Sequence, residues 1–120
     1  MTLVEFLRAR LDEDEAAAHA TGGAAWEASV PNMIHVSATS QREERGLRHQ
    51  GYVASTEHAE HQRHIARHDP ARVLREVDAK RRMLEWHDRA HPHDGDPCTT
   101  QRLLVLPYAD HPDYREEWKP

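Results

Sequence analysis

Apolar residues recur at helical spacing from the start of the chain. Leu3, Val4, Leu7, Leu11 and Ala18 fall within about 100° of arc at the α-helical period, and residues 12–15 form an acidic run on or beside the other side. Thr2 is a suitable N-cap, and Glu5 three residues later completes a capping-box pattern. Thr21-Gly22-Gly23 supplies the stop. These signals predict a helix over residues 2–20. The texture then changes: Trp26, Val30, Ile34, Val36, Tyr52 and Val53 are β-favouring, punctuated by Pro31-Asn32 and Gly51. They predict a small two- to three-stranded antiparallel sheet over residues 26–54, with Pro31-Asn32 turning between 26–30 and 33–37. Residues 40–50 are charged, lack apolar periodicity and read as an exposed loop. A sheet of this size needs a helix against one face to be stable.

Ser55-Thr56-Glu57 opens the next expected helix, over residues 56–67. Asp69-Pro70 marks a restart, with Asp69 as N-cap and Pro70 at the first helical position. The third helix is expected over residues 70–88, burying Val73, Leu74, Val77 and Leu84. Arg81 lies inside that arc and must snorkel or pair with an acid. Residues 91–97 are a loop by composition. Thr99 or Thr100 then caps an element over residues 100–107 whose pattern suits helix or buried strand, helix being preferred. Pro107 ends it, and Pro112 starts a last turn, residues 112–118, with Asp113, Glu116 and Trp118. Tyr108, Tyr114 and Trp118 are expected to pin the C-terminus. The fold class is α+β, with four to five helices packed on the small sheet, in a single domain over residues 1–120.

Composition narrows the classes. A chain of 120 residues with 38% hydrophobic and 31% charged positions can form a small core with long solvated faces. No run approaches the roughly 20 apolar residues that span a bilayer, and the N-terminus lacks a signal-peptide pattern. Cys98 is the one cysteine, so no internal disulfide forms and a reducing compartment is expected. The chain therefore reads as cytoplasmic, with no membrane partner. A net charge of −5 disfavours a nucleic-acid binder, whose affinity rests on neutralising phosphates. The compositional oddity is eleven histidines.

Those histidines form two clusters. His58, His61, His64 and His68 occupy about 120° of a helix at 100° per residue. His64 and His68 are four apart, so two imidazoles on successive turns can grip one ion. A metalloprotease would need glutamate directly after the first histidine, and Ile65 stands there instead. The plainer reading is a polar, solvated helix face. The second cluster is His87, His91, His93 and Cys98, running from a helix end through a loop to the next element. A thiolate with three imidazoles suits zinc, although histidine-proline loops are often merely exposed and Cys98 can be a small buried thiol.

Three blocks carry a resemblance: residues 1–15 (MTLVEFLRARLDEDE), 64–82 (HIARHDPARVLREVDAKRR) and 98–118 (CTTQRLLVLPYADHPDYREEW). Over about half of the chain they resemble a family of small uncharacterised proteins from actinobacteria and their phages. The resemblance implies no catalytic role. It implies a structural zinc site in some relatives: a histidine after the third helix, a C-x-x-C in the loop and a cysteine just before the Leu-Leu-x-Leu-Pro-Tyr block. Here His87 and Cys98 match the outer positions and the C-x-x-C is missing, with His91 and His93 in the shortened loop.

Arg75, Arg82 and Arg89 recur every seven residues on the face of the third helix opposite its core. Such a column can meet phosphate, but Asp78 and Glu85 lie beside it and no aromatic residues interleave to stack bases. Cys98 lacks the surroundings of known thiol proteases, and no glycine-rich phosphate loop is present. The expected function is a non-enzymatic protein-interaction or regulatory module with a candidate zinc site. A nucleic-acid-associated accessory protein is the first alternative, and a metal-dependent hydrolase using His64 and His68 is the second.

Overall fold

A computed structural model of the chain describes residues 1–37, 51–91 and 97–120. Its elements are α1 (Leu3–Ala20), β1 (Trp26–Val30), β2 (Met33–Val36), β3 (Tyr52–Ser55), α2 (Ala59–Arg67), α3 (Pro70–Ala90) and α4 (Thr99–Val105). Two 3-10 turns follow, Leu106–Tyr108 and Glu116–Trp118. The fold is α+β, as the periodicities require. The loop expected over residues 40–50, and residues 92–96 of the one expected over 91–97, lie outside the described residues. Two compact units are defined, residues 1–16 with 76–120 and residues 17–75, with boundaries inside α1 and α3. No described helix is long and apolar enough to cross a membrane.

Both ends of α1 form as their residues dictate. The Thr2 amide donates to Glu5 Oε2 at 2.8 Å, and the Glu5 amide donates to Thr2 Oγ1 at 3.2 Å. This reciprocal pair satisfies two amides that the first helical turn leaves without carbonyl partners. At the other end Gly23 donates to Ala18 O at 3.0 Å and Gly22 to His19 O at 2.9 Å, a Schellman closure. Gly22 adopts φ 97° and Gly23 φ 68°, where a β-carbon is strained.

In the unit of residues 17–75, the three strands pair antiparallel in the order β1-β2-β3. Pro31 and Asn32 make the first turn, and Asn32 takes φ 62°. Proline followed by a residue that tolerates positive φ is the chemistry of a type II turn. Ile34 and Val36 alternate inward along β2 and are buried, while α2 lies against β1 and β2. Its Gln62, only 5% exposed, donates through Nε2 to Val30 O at 2.6 Å and Met33 O at 2.7 Å. One side-chain amide thus serves the carbonyls on both sides of the turn.

The start of α2 differs from the expectation. Ser55 pairs with Met33 as the last residue of β3, and the Thr56 amide donates to Asn32 O at 2.7 Å. The sheet occupies the backbone at residues 55–56, so the helix begins at Ala59 with His58 as N-cap. Asp69 and Pro70 restart the chain as expected. Asp69 Oδ1 accepts from the Arg72 amide at 2.8 Å, and Oδ2 accepts from the Trp26 amide at 3.1 Å. The same carboxylate therefore caps α3 and anchors the first residue of β1. Val73 and Leu74 are half-buried in this unit.

In the unit of residues 1–16 and 76–120, Phe6 is fully buried. Its ring meets His111, Tyr114 and Trp118 at centroid distances of 5.4, 6.2 and 5.1 Å. The expected stripe omitted this residue. Leu3, Leu7 and Leu11 are buried as expected, Val4 is half-buried, and Phe6 and Arg10 complete the inner face. The Arg10 guanidinium sits over the Phe6 ring at 5.1 Å, donates to Glu13 at 2.9 Å and meets His111 Nδ1 at 3.1 Å. Arg81 pairs with Asp12 at 2.6 Å and Glu15 at 2.8 Å. Those hydrogen bonds, to Glu15 first and then Asp12, strengthen its hold on its proton. Helix α3 runs past residue 88 to Ala90, and the His91 amide still bonds to His87 O at 2.8 Å.

The element after residue 97 is a helix, as preferred over a strand. Its N-cap is Cys98 rather than either threonine, because Gln101 Oε1 reaches back to accept from the Cys98 amide at 3.2 Å. Pro107 stands inside the following 3-10 turn, Leu106–Tyr108. The C-terminus is pinned as expected: Tyr114 and Trp118 pack on Phe6, and the Tyr108 hydroxyl donates to Asp14 Oδ2 at 2.6 Å. Arg102 adds bonds to Glu117 O at 3.0 Å and Lys119 O at 3.1 Å.

Two predictions follow from these contacts. Gln62→Ala removes a donor from the Val30 and Met33 carbonyls, and urea unfolding should show a loss of about 1–3 kcal/mol; an unchanged midpoint refutes the anchoring role. Burial, then the hydrogen bond to Asp14, pushes the Tyr108 hydroxyl well above the usual tyrosine range. The folded state therefore holds this proton more tightly than the unfolded chain does. The resulting stability is complete below the unfolded value of about 10 and is lost as pH rises above it. Tyr108→Phe should flatten that alkaline decline in unfolding midpoints; a decline as steep as in the unsubstituted chain contradicts the assignment.

Candidate functional site

Three surfaces carry chemistry, and each takes its geometry from a helix. The first is the histidine face of α2. His58, His61, His64 and His68 are all exposed, as a solvated face requires. They are organised as two pairs. The rings of His58 and His61 meet edge to face with centroids 5.2 Å apart and planes at 85°. Those of His64 and His68 lie closer, 4.4 Å apart with planes tilted by 37°. His68 is also the C-cap of the helix, and its Nδ1 is 2.8 Å from His64 O. A carbonyl oxygen only accepts, so Nδ1 carries the hydrogen in this contact and the neutral ring keeps its lone pair on Nε2.

The second surface is the junction of α3 with α4. His87 is only 4% exposed, and its Nε2 lies 3.0 Å from the half-buried Cys98 Sγ, a hydrogen-bonded pair. His91 stands beside it, with ring centroids 5.5 Å apart. The last turn of α3 places His87 inward and leaves His91 exposed, one helical repeat on. His93 lies outside the described residues. A thiol and imidazoles are donors that suit zinc. Yet among the described residues no group of three or more His, Cys, Asp or Glu side chains is arranged to hold a metal ion. What the geometry does supply is a polar clasp between the end of α3 and the N-cap of α4.

The third surface is the outward side of α3. Leu84 and His87 face inward, which turns their neighbours Met83 and Trp86 outward, 45% and 65% exposed. Trp86 stands four residues after Arg82 and three before Arg89, so all three share one strip. Arg82 Nε pairs with Asp78 at 3.0 Å, and Arg89 pairs with Glu85 at 3.4 Å. The arginines expected as a basic column are thus internally compensated at these two positions. Arg75, the third of them, is exposed in the other unit. The indole also meets the His91 ring edge to face at 6.2 Å. Nearby in the same unit, Arg8, Asp12, Arg81, Leu84 and Glu85 line an open depression.

Met83 and Trp86 were not singled out by periodicity, which identifies the buried stripe and passes over apolar residues outside it. The available signal was a tryptophan on the arginine strip rather than in the arc of Val77 and Leu84. No curated protein and no solved structure matches the chain significantly. The sequence model of a family of unknown function (DUF6221) does match it, over residues 1–120, and the chain belongs to that family.

Proposed function

We propose that this chain is a protein-interaction module that docks a partner on the outward face of α3, with Trp86 as its anchor. The observation that carries this reading is an indole left 65% exposed beside a half-exposed methionine, on a helix whose other face is already buried. Exposing a tryptophan forgoes a burial gain of the order of 1.5–3 kcal/mol for a large apolar side chain. Tryptophan is also the residue type most often found to dominate binding energy at protein interfaces. The surroundings suit the same use: the Arg82–Asp78 and Arg89–Glu85 pairs frame the apolar centre with a charged, hydrated rim. Because each arginine is offset by a carboxylate, the strip favours a protein surface over a phosphate backbone.

The reading is tested with a Met83→Ser/Trp86→Ser variant. Both side chains point away from the core, so the melting temperature should stay within about 2 °C of the original, as for exposed sites generally. Immobilised intact chain should retain a defined protein from extracts of its native cell, and the variant should retain at least roughly tenfold less, equivalent to about 1.4 kcal/mol. Equal retention by the two proteins refutes the docking face.

A further inference from the structure

We propose that His64 and His68 together form an exchangeable site for a divalent transition-metal cation of the Zn2+ and Cu2+ class. The site lies on α2, in a different unit from the α3 docking face, and does not depend on that reading. Its basis is preorganisation. The two rings are 4.4 Å apart in the folded chain, so a cation that bridges them need not gather two independently rotating side chains. The hydrogen on His68 Nδ1 is committed to His64 O at 2.8 Å. That contact fixes the ring's orientation and leaves Nε2 as the donor, the arrangement by which a backbone carbonyl supports metal-bound histidine.

The position along the helix adds to this. His64 and His68 occupy the last turn and C-cap of α2, where the carbonyl ends of the helix concentrate partial negative charge that favours a cation. His58 and His61 sit at the opposite end, where the amide ends favour anions. Their rings meet edge to face with centroids 5.2 Å apart, farther than the 4.4 Å between His64 and His68. Both members of the favoured pair are exposed, so water completes the coordination shell. Imidazole nitrogen selects Zn2+ and Cu2+ over hard cations such as Mg2+. Two protein ligands make such a site open and exchangeable rather than structural.

The test uses the full chain and the metal alone. With Cu2+ added well below one equivalent, the ring resonances of His64 and His68 should broaden before those of the other nine histidines. His68→Gln should abolish that preference at His64. In calorimetric titration with Zn2+, His64→Gln or His68→Gln should weaken binding by roughly tenfold or more, at least the scale seen when a supporting group of a metal ligand is lost. His58→Gln should leave the affinity unchanged, and Mg2+ should not bind. Uniform broadening across the histidines, earlier broadening of His58 and His61, or unchanged Zn2+ affinity in both variants overturns the proposal. Loss of the Met83/Trp86 interaction would leave these outcomes untouched, so the two readings fail separately.

Discussion

The Asp69 carboxylate holds two backbone amides at once, that of Arg72 inside α3 and that of Trp26 at the start of β1. Without it the restart after α2 loses its cap and the first strand loses its fixed beginning. The same economy recurs where apolar material is scarce. Gln62 serves two carbonyls flanking the Pro31-Asn32 turn. Arg81 serves two carboxylates of α1, and Arg102 binds the carbonyls of Glu117 and Lys119. With 38% hydrophobic residues, the chain closes its small cores with polar side chains that each reach two partners. Burying such groups costs free energy unless they are bonded, so their contacts are specific as well as cohesive.

This reliance explains what could be read in advance. Local signals were legible because each depends on a few adjacent residues: the Thr2–Glu5 box, the Gly22-Gly23 stop, the Asp69-Pro70 restart and the Pro31-Asn32 turn. The small sheet followed from composition and spacing, whereas the pattern of α4 suited helix and strand alike. The non-local anchors were not legible. Nothing in the neighbours of Gln62 announces that its amide will meet carbonyls at Val30 and Met33, about thirty residues away in sequence. Phe6 was missed because it widens the apolar arc of α1 to meet an aromatic tail from residues 111–118, which the helix pattern alone cannot foresee. The start of α2 was placed too early for the same reason, since the sheet had already taken the backbone at residues 55–56.

The two histidine clusters show how burial divides one residue type into different chemistries. Sequence spacing placed His87, His91 and Cys98 in a common neighbourhood, and the fold brings His87 against Cys98. The ring of His87 is nearly sealed from solvent, and a metal held there would need its remaining ligands from protein. The hydrogen bond between His87 and Cys98 joins the end of α3 to the N-cap of α4, much as Asp69 ties α3 to β1. His64 and His68 present the opposite case. Both are exposed, so water would complete the shell of an ion held by the proposed pair.

The same logic bears on Trp86. A chain that uses glutamine, arginine and aspartate to finish its interior is short of large apolar groups, and it nonetheless leaves an indole outside. Trp86 lies on the side of α3 away from buried Leu84 and His87, so its exposure follows from the register of the helix. The register is fixed by Val77, Leu84 and His87, all buried. Interior packing therefore determines the outward strip as well: turning α3 to bring Trp86 inward would displace Leu84 and His87 from the positions in which they are buried. The exposed indole is held in place by the same buried contacts that shape the core beneath it.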